Sequence, residues 1–330
     1  CFKLTGDLDD DSTGYSDVVC DSESDQGSWE PVGYYSDSVP EIMSFTLNET
    51  LYAETDTMFL GTFDGNGKSI GNLRVVREEP EVTQLRFGPP PAEACGLFGA
   101  LYEAEVKNLT LTDAYVYGQD YTGLLAGYSI GSKISGIVTN QSVVPTSFEP
   151  MMLLYGAYGT DYVGGIVGYN EEGTVEDCRN ELSVSGNDYV GGIVGFSDSG
   201  TILNCDNEGD ISGDYYVGGI AGVSYTEEYE PDVQSFELQQ LYPGAIISGC
   251  SNNGSITSRE NNGGGIAGYT NDMIENCYNL GTVYGGDYLG GIAGENDWGT
   301  IQDCENGGDV NGEEGEEYVG GIAGANDGGT

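Results

Sequence analysis

Cysteine stands at Cys178, Cys205, Cys250, Cys277 and Cys304, and two residues past each stands asparagine: Asn180, Asn207, Asn252, Asn279 and Asn306. A recurring thiol invites metal or redox chemistry. Structural zinc sites gather their thiolates in close C-x-x-C pairs, whereas these cysteines are spaced by 27 or 45 residues. Each follows an aliphatic residue by three, and in the earlier turns that same column holds Leu109 after Val106 and Ile137 after Ile134. A place that accepts Leu and Ile is apolar and interior, so the default reading is a column of buried structural thiols. Disulfides between adjacent turns are the rival, because stacked Cα atoms about 4.8 Å apart fall within disulfide range. Five members would then leave an odd thiol.

Carboxylates are the other abundant chemistry. Asp7, Asp9 and Asp11 open the stretch DLDDDSTGYSD and form a candidate weak calcium loop. An EF-hand loop needs glycine at its sixth position and glutamate at its twelfth. Those places hold Ser12 and Val18, so a solvated acidic loop is the plainer reading. Cys1 and Cys20 flank the stretch and are a candidate disulfide. The chain has no histidine, which excludes a Ser-His-Asp triad, an H-E-x-x-H zinc site and an imidazole base. Paired carboxylates can hydrolyse glycosides, yet these acids lie mainly in variable turns and no pair is set apart from the repeat. The expectation is a protein that is not an enzyme and has no cofactor, with calcium the one ion left open.

The charge balance narrows the partners. Nine Lys and Arg stand against 55 Asp and Glu, for a net charge of -46. From Glu181 onward 26 acids face one base, Arg259. Such a surface repels nucleic-acid phosphates and favours cations or a salty medium. No run of 18 apolar residues is present to span a membrane. Four Asn-x-Ser/Thr sequons, at Asn48, Asn108, Asn140 and Asn253, are candidate glycosylation sites.

The elements that place these residues are repeats. A central aliphatic after glycine recurs at Phe98, Leu125, Ile166, Ile193, Ile220, Ile266, Ile292 and Ile322, with steps of 27, 41, 27, 27, 46, 26 and 30. The long steps are a normal repeat plus an insertion, over 146–160 and 225–243. Each unit has three short segments, such as Val190–Gly195, Thr201–Cys205 and Asp210–Gly213, too short and glycine-rich for helices. Three short strands per turn of about 27 residues is the arithmetic of a β-helix, whereas a propeller blade needs four strands and about 40 residues. Residues 1–90 read as an entry region with the acidic loop and first turns, and 91–330 as the solenoid. Tyr121, Tyr162, Tyr189, Tyr216, Tyr288 and Tyr318 precede the glycines, and their default reading is stacking along one edge. Asparagines at one phase of stacked parallel turns can bond each to the next.

YVGGIVG, YVGGIAG and YLGGIAG, each followed by C-x-N, resemble the GLUG repeat of bacterial and archaeal surface proteins. FKLTGDLD, WEPVG and GTFDGNGKSIGNL resemble the lead-in to such repeats. The resemblance covers most of the chain. It implies a right-handed parallel β-helix on an extracellular, cell-surface protein, and it implies no reaction. The chain's start at Phe2–Asp7 reads as the middle of a strand and Thr330 as part-way through a repeat, so the expectation is a piece of a longer chain whose strand edge recruits another. The functional expectation is a structural solenoid that builds or decorates a filament, sheath or wall layer, partnered by itself as a homopolymer or by other surface components. The alternatives are an adhesin stalk and a non-catalytic segment of a secreted enzyme.

Overall fold

A computed structural model of the chain describes residues 2–8, 32, 58–76, 94–142, 155–227, 245–313 and 318–330. Among the described residues the chain is all β, a parallel β-helix whose turns visit three parallel sheets in order. The turn that starts at Asp188 is representative. Asp188–Gly191 lies in the first sheet, and Val194–Asp198 in the second. Thr201–Leu203 and Asp206–Asn207 share the third, and Ile211–Gly218 returns to the first. The expected segment Val190–Gly195 is therefore two strands, with a corner at the glycine pair.

In-register parallel pairing sets like residues on like. Val167 pairs with Val194, Val194 with Ala221, and Ala221 with Ala267. Val175, Ile202, Ile247 and Ile274 form another such row. The members of these rows, and the corner residues Ile166, Ile193, Ile220, Ile266 and Ile292 beside them, are fully buried in one continuous apolar core. Each turn alone has almost nothing to pack against, so its burial is supplied by its neighbours.

Two sequence alignments are corrected. Phe98 pairs with Ala126, not Leu125. The central column therefore passes through Leu97, because this turn is one residue shorter between Gly96 and Phe98 than the next is between Gly123 and Ala126. The insertion read over 146–160 also ends sooner. Gly156–Tyr158 is a strand held between Tyr115–Tyr117 and Ser183–Ser185. The rest of that insertion falls largely outside the described residues. So does the one read over 225–243, although Tyr225 itself closes the strand Ala221–Tyr225.

The second glycine of the corner has a specific cause. A Cβ at Gly165 would clash first with the Gly192 carbonyl oxygen of the next turn, and would lie 2.7 Å from the carboxamide carbon of Asn180. One turn earlier, Asn180 is replaced in register by Thr139, and the glycine position is taken by Leu124. The corner that holds Leu124 thus faces a threonine in place of the asparagine carboxamide.

Candidate functional site

Cys178, Cys205, Cys250 and Cys277 are buried free thiols, and Cys304 is partly buried. Arg179 pairs with Val138, which places Cys178 beside Ile137, and Ile137 pairs with Leu109. Each sulfur points inward and donates to the backbone of its own turn, as Cys205 Sγ does to the Leu203 carbonyl at 3.2 Å. Burial pushes the Cys205 thiol well above its ordinary value. These thiols are positioned as filling for the core. Among the described residues no cluster of three acidic, cysteine or histidine side chains could hold a metal ion.

Two residues on, the asparagines turn inward as well. Asn180 Nδ2 donates to Asn207 Oδ1 at 2.9 Å, and the links Asn207–Asn252, Asn252–Asn279 and Asn279–Asn306 are each 2.8 Å. Every Nδ2 also donates to the carbonyl two residues ahead, such as that of Gly209 for Asn207. Thr139 Oγ1 donates to Asn180 Oδ1 at 2.6 Å and closes the early end of the row. Four of these asparagines are fully buried, where an unpaired amide would cost about 1–3 kcal/mol. The ladder satisfies both ends of each amide.

A second polar row was not singled out from the sequence. Ser129, Asn170, Ser197, Ser224, Thr270 and Asn296 share one register position and are all buried. Its signal was a small polar residue four places after the central aliphatic, obscured by changes of residue type. Close to this row lies Asp272, also buried, whose Oδ2 accepts from Ser224 Oγ at 3.1 Å. Desolvation raises its carboxyl to about 6.

Outside the core, the tyrosines form a ridge. Rings of Tyr121, Tyr162, Tyr189 and Tyr216 stack at centroid distances of 4.9, 4.7 and 5.3 Å. A parallel row of Tyr128, Tyr169 and Phe196 stacks at 4.9 and 5.1 Å and meets the first row edge-on. The tyrosines of the first row hold φ between +52° and +58°, a region that costs an L-residue about 1–2 kcal/mol. Carboxylates run beside the ridge. Tyr128 Oη donates to Glu171 at 2.7 Å, and Tyr169 and Tyr269 donate to Asp198 and Asp297 at 3.2 Å. Burial, and then the neighbouring Asp188, raises the carboxyl of Asp161.

The remaining sequence candidates are scattered. Asp7 Oδ1 accepts from the Ser69 amide at 2.9 Å, and its carboxylate lies 3.9 Å from Lys68. That hydrogen bond from the Ser69 backbone holds the Asp7 carboxyl below its ordinary value. Asp9, Asp11, Cys1, Cys20 and Asn48 lie outside the described residues. Asn108 and Asn253 are exposed, whereas Asn140 Oδ1 is buried without a partner. No helix among the described residues is long and apolar enough to cross a membrane.

Residues 159–185 and 186–212 each match the family described as the GLUG motif. These two turns are GLUG repeats, and turns on both sides share their columns. Over 175 residues, 53% of this chain, the sequence is 28% identical to halomucin of Haloquadratum walsbyi. The chain spans only 1% of that protein's length. The fold is similar to the crystal structure of a candidate immunoglobulin A1 protease from Bacteroides ovatus, with a TM-score of 0.50 and 16% identity. That likeness covers 99% of this chain and 76% of the other. At this identity it speaks to the fold alone.

Proposed function

We propose that this chain is a non-enzymatic structural segment of an extracellular surface protein, a stiff acidic solenoid that builds or decorates a filament, sheath or wall layer. The observation that carries the reading is the buried side-chain ladder from Asn180 to Asn306. Buried amides, thiols and aliphatics tie each of these turns to the next, and stacked rings reinforce the turns from Tyr121 to Tyr216 and from Tyr288 to Tyr318, so bending would break several contacts at once. The acidic exterior supports it, since net charge keeps a surface component hydrated and soluble in salt. GLUG repeats and the likeness to halomucin point to the same setting. Its partners are copies of itself or other surface components.

Immunogold labelling of intact source cells with an antibody to residues 155–227 tests the location, and sedimentation of the purified chain with calcium tests assembly. Surface label together with concentration-dependent polymers is the expected result. Label confined to the cell interior would overturn the reading, and surface label with a monomer at all concentrations would favour an adhesin stalk instead.

A further inference from the structure

Trp298 is the most exposed large apolar side chain among the described residues, at 71%. Its backbone holds φ at +61°, an outlying conformation for a bulky residue. The tyrosines of the ridge hold a similar φ and recover that cost by stacking on one another, whereas Trp298 stays in solvent. On the side of the following turn its indole lies against Gly328, where a Cβ would come within 2.6 Å of the ring. On the side of the preceding turn it borders an open groove.

The groove has its cause in chain length. Thr270 pairs with Asn296 and Met273 with Thr300, so a corner of three steps lies against one of four. Asn170 to Thr174 and Ser197 to Thr201 also take four. Glu172, Ser199 and Trp298 hold the same place in those longer corners, each with positive φ. The corner at 270–273 lacks that residue, and a groove of about 400 Å³ lies there, its lining including Ile246, Asn271, Asp272, Met273, Trp298 and Thr300. Small-ligand sites measure roughly 300–1,000 Å³ and combine apolar walls with a few placed polar groups.

The polar groups of this groove are few and fixed. Asn271 is tied at both ends of its carboxamide to the backbone of Thr226, at 3.0 and 2.9 Å. Thr300 Oγ1 shares a hydrogen bond with Thr330 Oγ1 at 3.2 Å. Both side chains are partly exposed, and each keeps capacity for a further bond, because a carboxamide nitrogen carries two hydrogens and a hydroxyl oxygen two lone pairs. A purely apolar occupant would bury that capacity unpaired. Charge adds a second filter. Asp272 lines the groove, Asp297 precedes Trp298, and the chain carries a net charge of -46, so an anionic ligand is repelled. A neutral sugar ring meets all three conditions. Its C–H face, weakly positive, lies on the negative face of an indole, and its hydroxyls reach polar groups at the rim.

We propose that the groove at Trp298 binds one neutral pyranose residue of a glycan, stacked on the indole and hydrogen-bonded at the rim by Asn271 and Thr300. The acidic surroundings exclude uronic and sialic acids. The site works in a monomer and in a polymer alike, so it stands apart from the assembly reading.

Saturation-transfer difference NMR on the whole chain tests it. The probes are the methyl pyranosides of glucose, galactose, mannose and N-acetylglucosamine, with glucuronic acid as the anionic comparison. At least one neutral probe is expected to show saturable transfer, strongest at its ring C–H protons, and glucuronic acid none. Trp298→Gly removes the indole and relieves the backbone, so the variant folds and the transfer is lost. Trp298→Phe keeps a smaller ring and binds about tenfold more weakly. Tyr284→Ala removes an exposed ring from another sheet and leaves the transfer unchanged. No saturable transfer to any neutral probe, equal transfer to glucuronic acid, or transfer that survives Trp298→Gly in a variant with the parent circular dichroism spectrum would overturn the proposal.

Discussion

Asn207 donates its side-chain amide to Oδ1 of Asn252 at 2.8 Å, across 45 residues of chain. Its own Oδ1 accepts from Asn180, and its Nδ2 also reaches the Gly209 carbonyl. Replacing Asn207 by Leu strands the Gly209 carbonyl and the Asn252 oxygen inside the core. The expected loss is about 2–4 kcal/mol, from an unmet buried group costing about 1–3 kcal/mol. Urea denaturation measures it. A loss under about 0.5 kcal/mol would mean that the ladder contributes little beyond a turn preference.

At Tyr189 the backbone and the ring pull in opposite directions. Its φ of +58° favours glycine, while its ring stacks on Tyr162 and Tyr216 and meets the edge of Phe196. Tyr189→Ala loses the ring contacts, each worth about 0.5–1.5 kcal/mol, and keeps the strain. Tyr189→Gly loses the same contacts but relieves the strain. Glycine should therefore be the less damaging replacement by about 1 kcal/mol, the reverse of the usual order in a strand. Thermal melts of the two variants decide it.

Asp272 makes stability depend on pH. Its carboxyl sits at about 6 when folded, against an ordinary 3.8, because burial favours the neutral form. Between those values the native chain holds a proton that the unfolded chain has released. Stability contributed by this group is thus highest in acid, and falls as pH rises from about 4 through about 6 by up to roughly 3 kcal/mol. Asp272→Asn removes that fall. The difference in unfolding free energy between variant and parent should grow in the variant's favour from pH 4 to pH 7. A constant difference would contradict the shift.

The thiol column should be inert while folded. The thiolate is the reactive form, and burial holds Cys205 away from it. Iodoacetamide followed by mass spectrometry should leave Cys178, Cys205, Cys250 and Cys277 unmodified in native protein and alkylate all four in urea. Cys205→Ala should cost about 1–2 kcal/mol through a small cavity, and Cys205→Asp far more, through a buried charge. Rapid native alkylation at Cys205 would argue against a closed core.

Columns of one residue type are legible in sequence because parallel, in-register strands set each residue on its own kind. The Cys and Asn rows keep a constant offset over five turns, so both the repeat and the parallel β-helix follow from them. Where offset or residue type varies, legibility fails. Phe98 looks like a member of the central column because it follows glycine-leucine, yet this turn is one residue short and Phe98 slides onto Ala126. The row through Ser129, Asn170 and Thr270 is hidden because serine, asparagine and threonine meet the same demand for a small buried polar group.

The bond from Asn207 to Asn252 has the length of the bond from Asn252 to Asn279, although one bridges 45 residues and the other 27. Height along the axis is therefore counted in turns, each adding about 4.8 Å, and not in amino acids. A lineage can enlarge a loop at a corner without lengthening the structure, or duplicate one 27-residue unit and gain a single fixed increment. The molecule works as a ruler, graduated by its glycine corners and indifferent to what hangs between the marks.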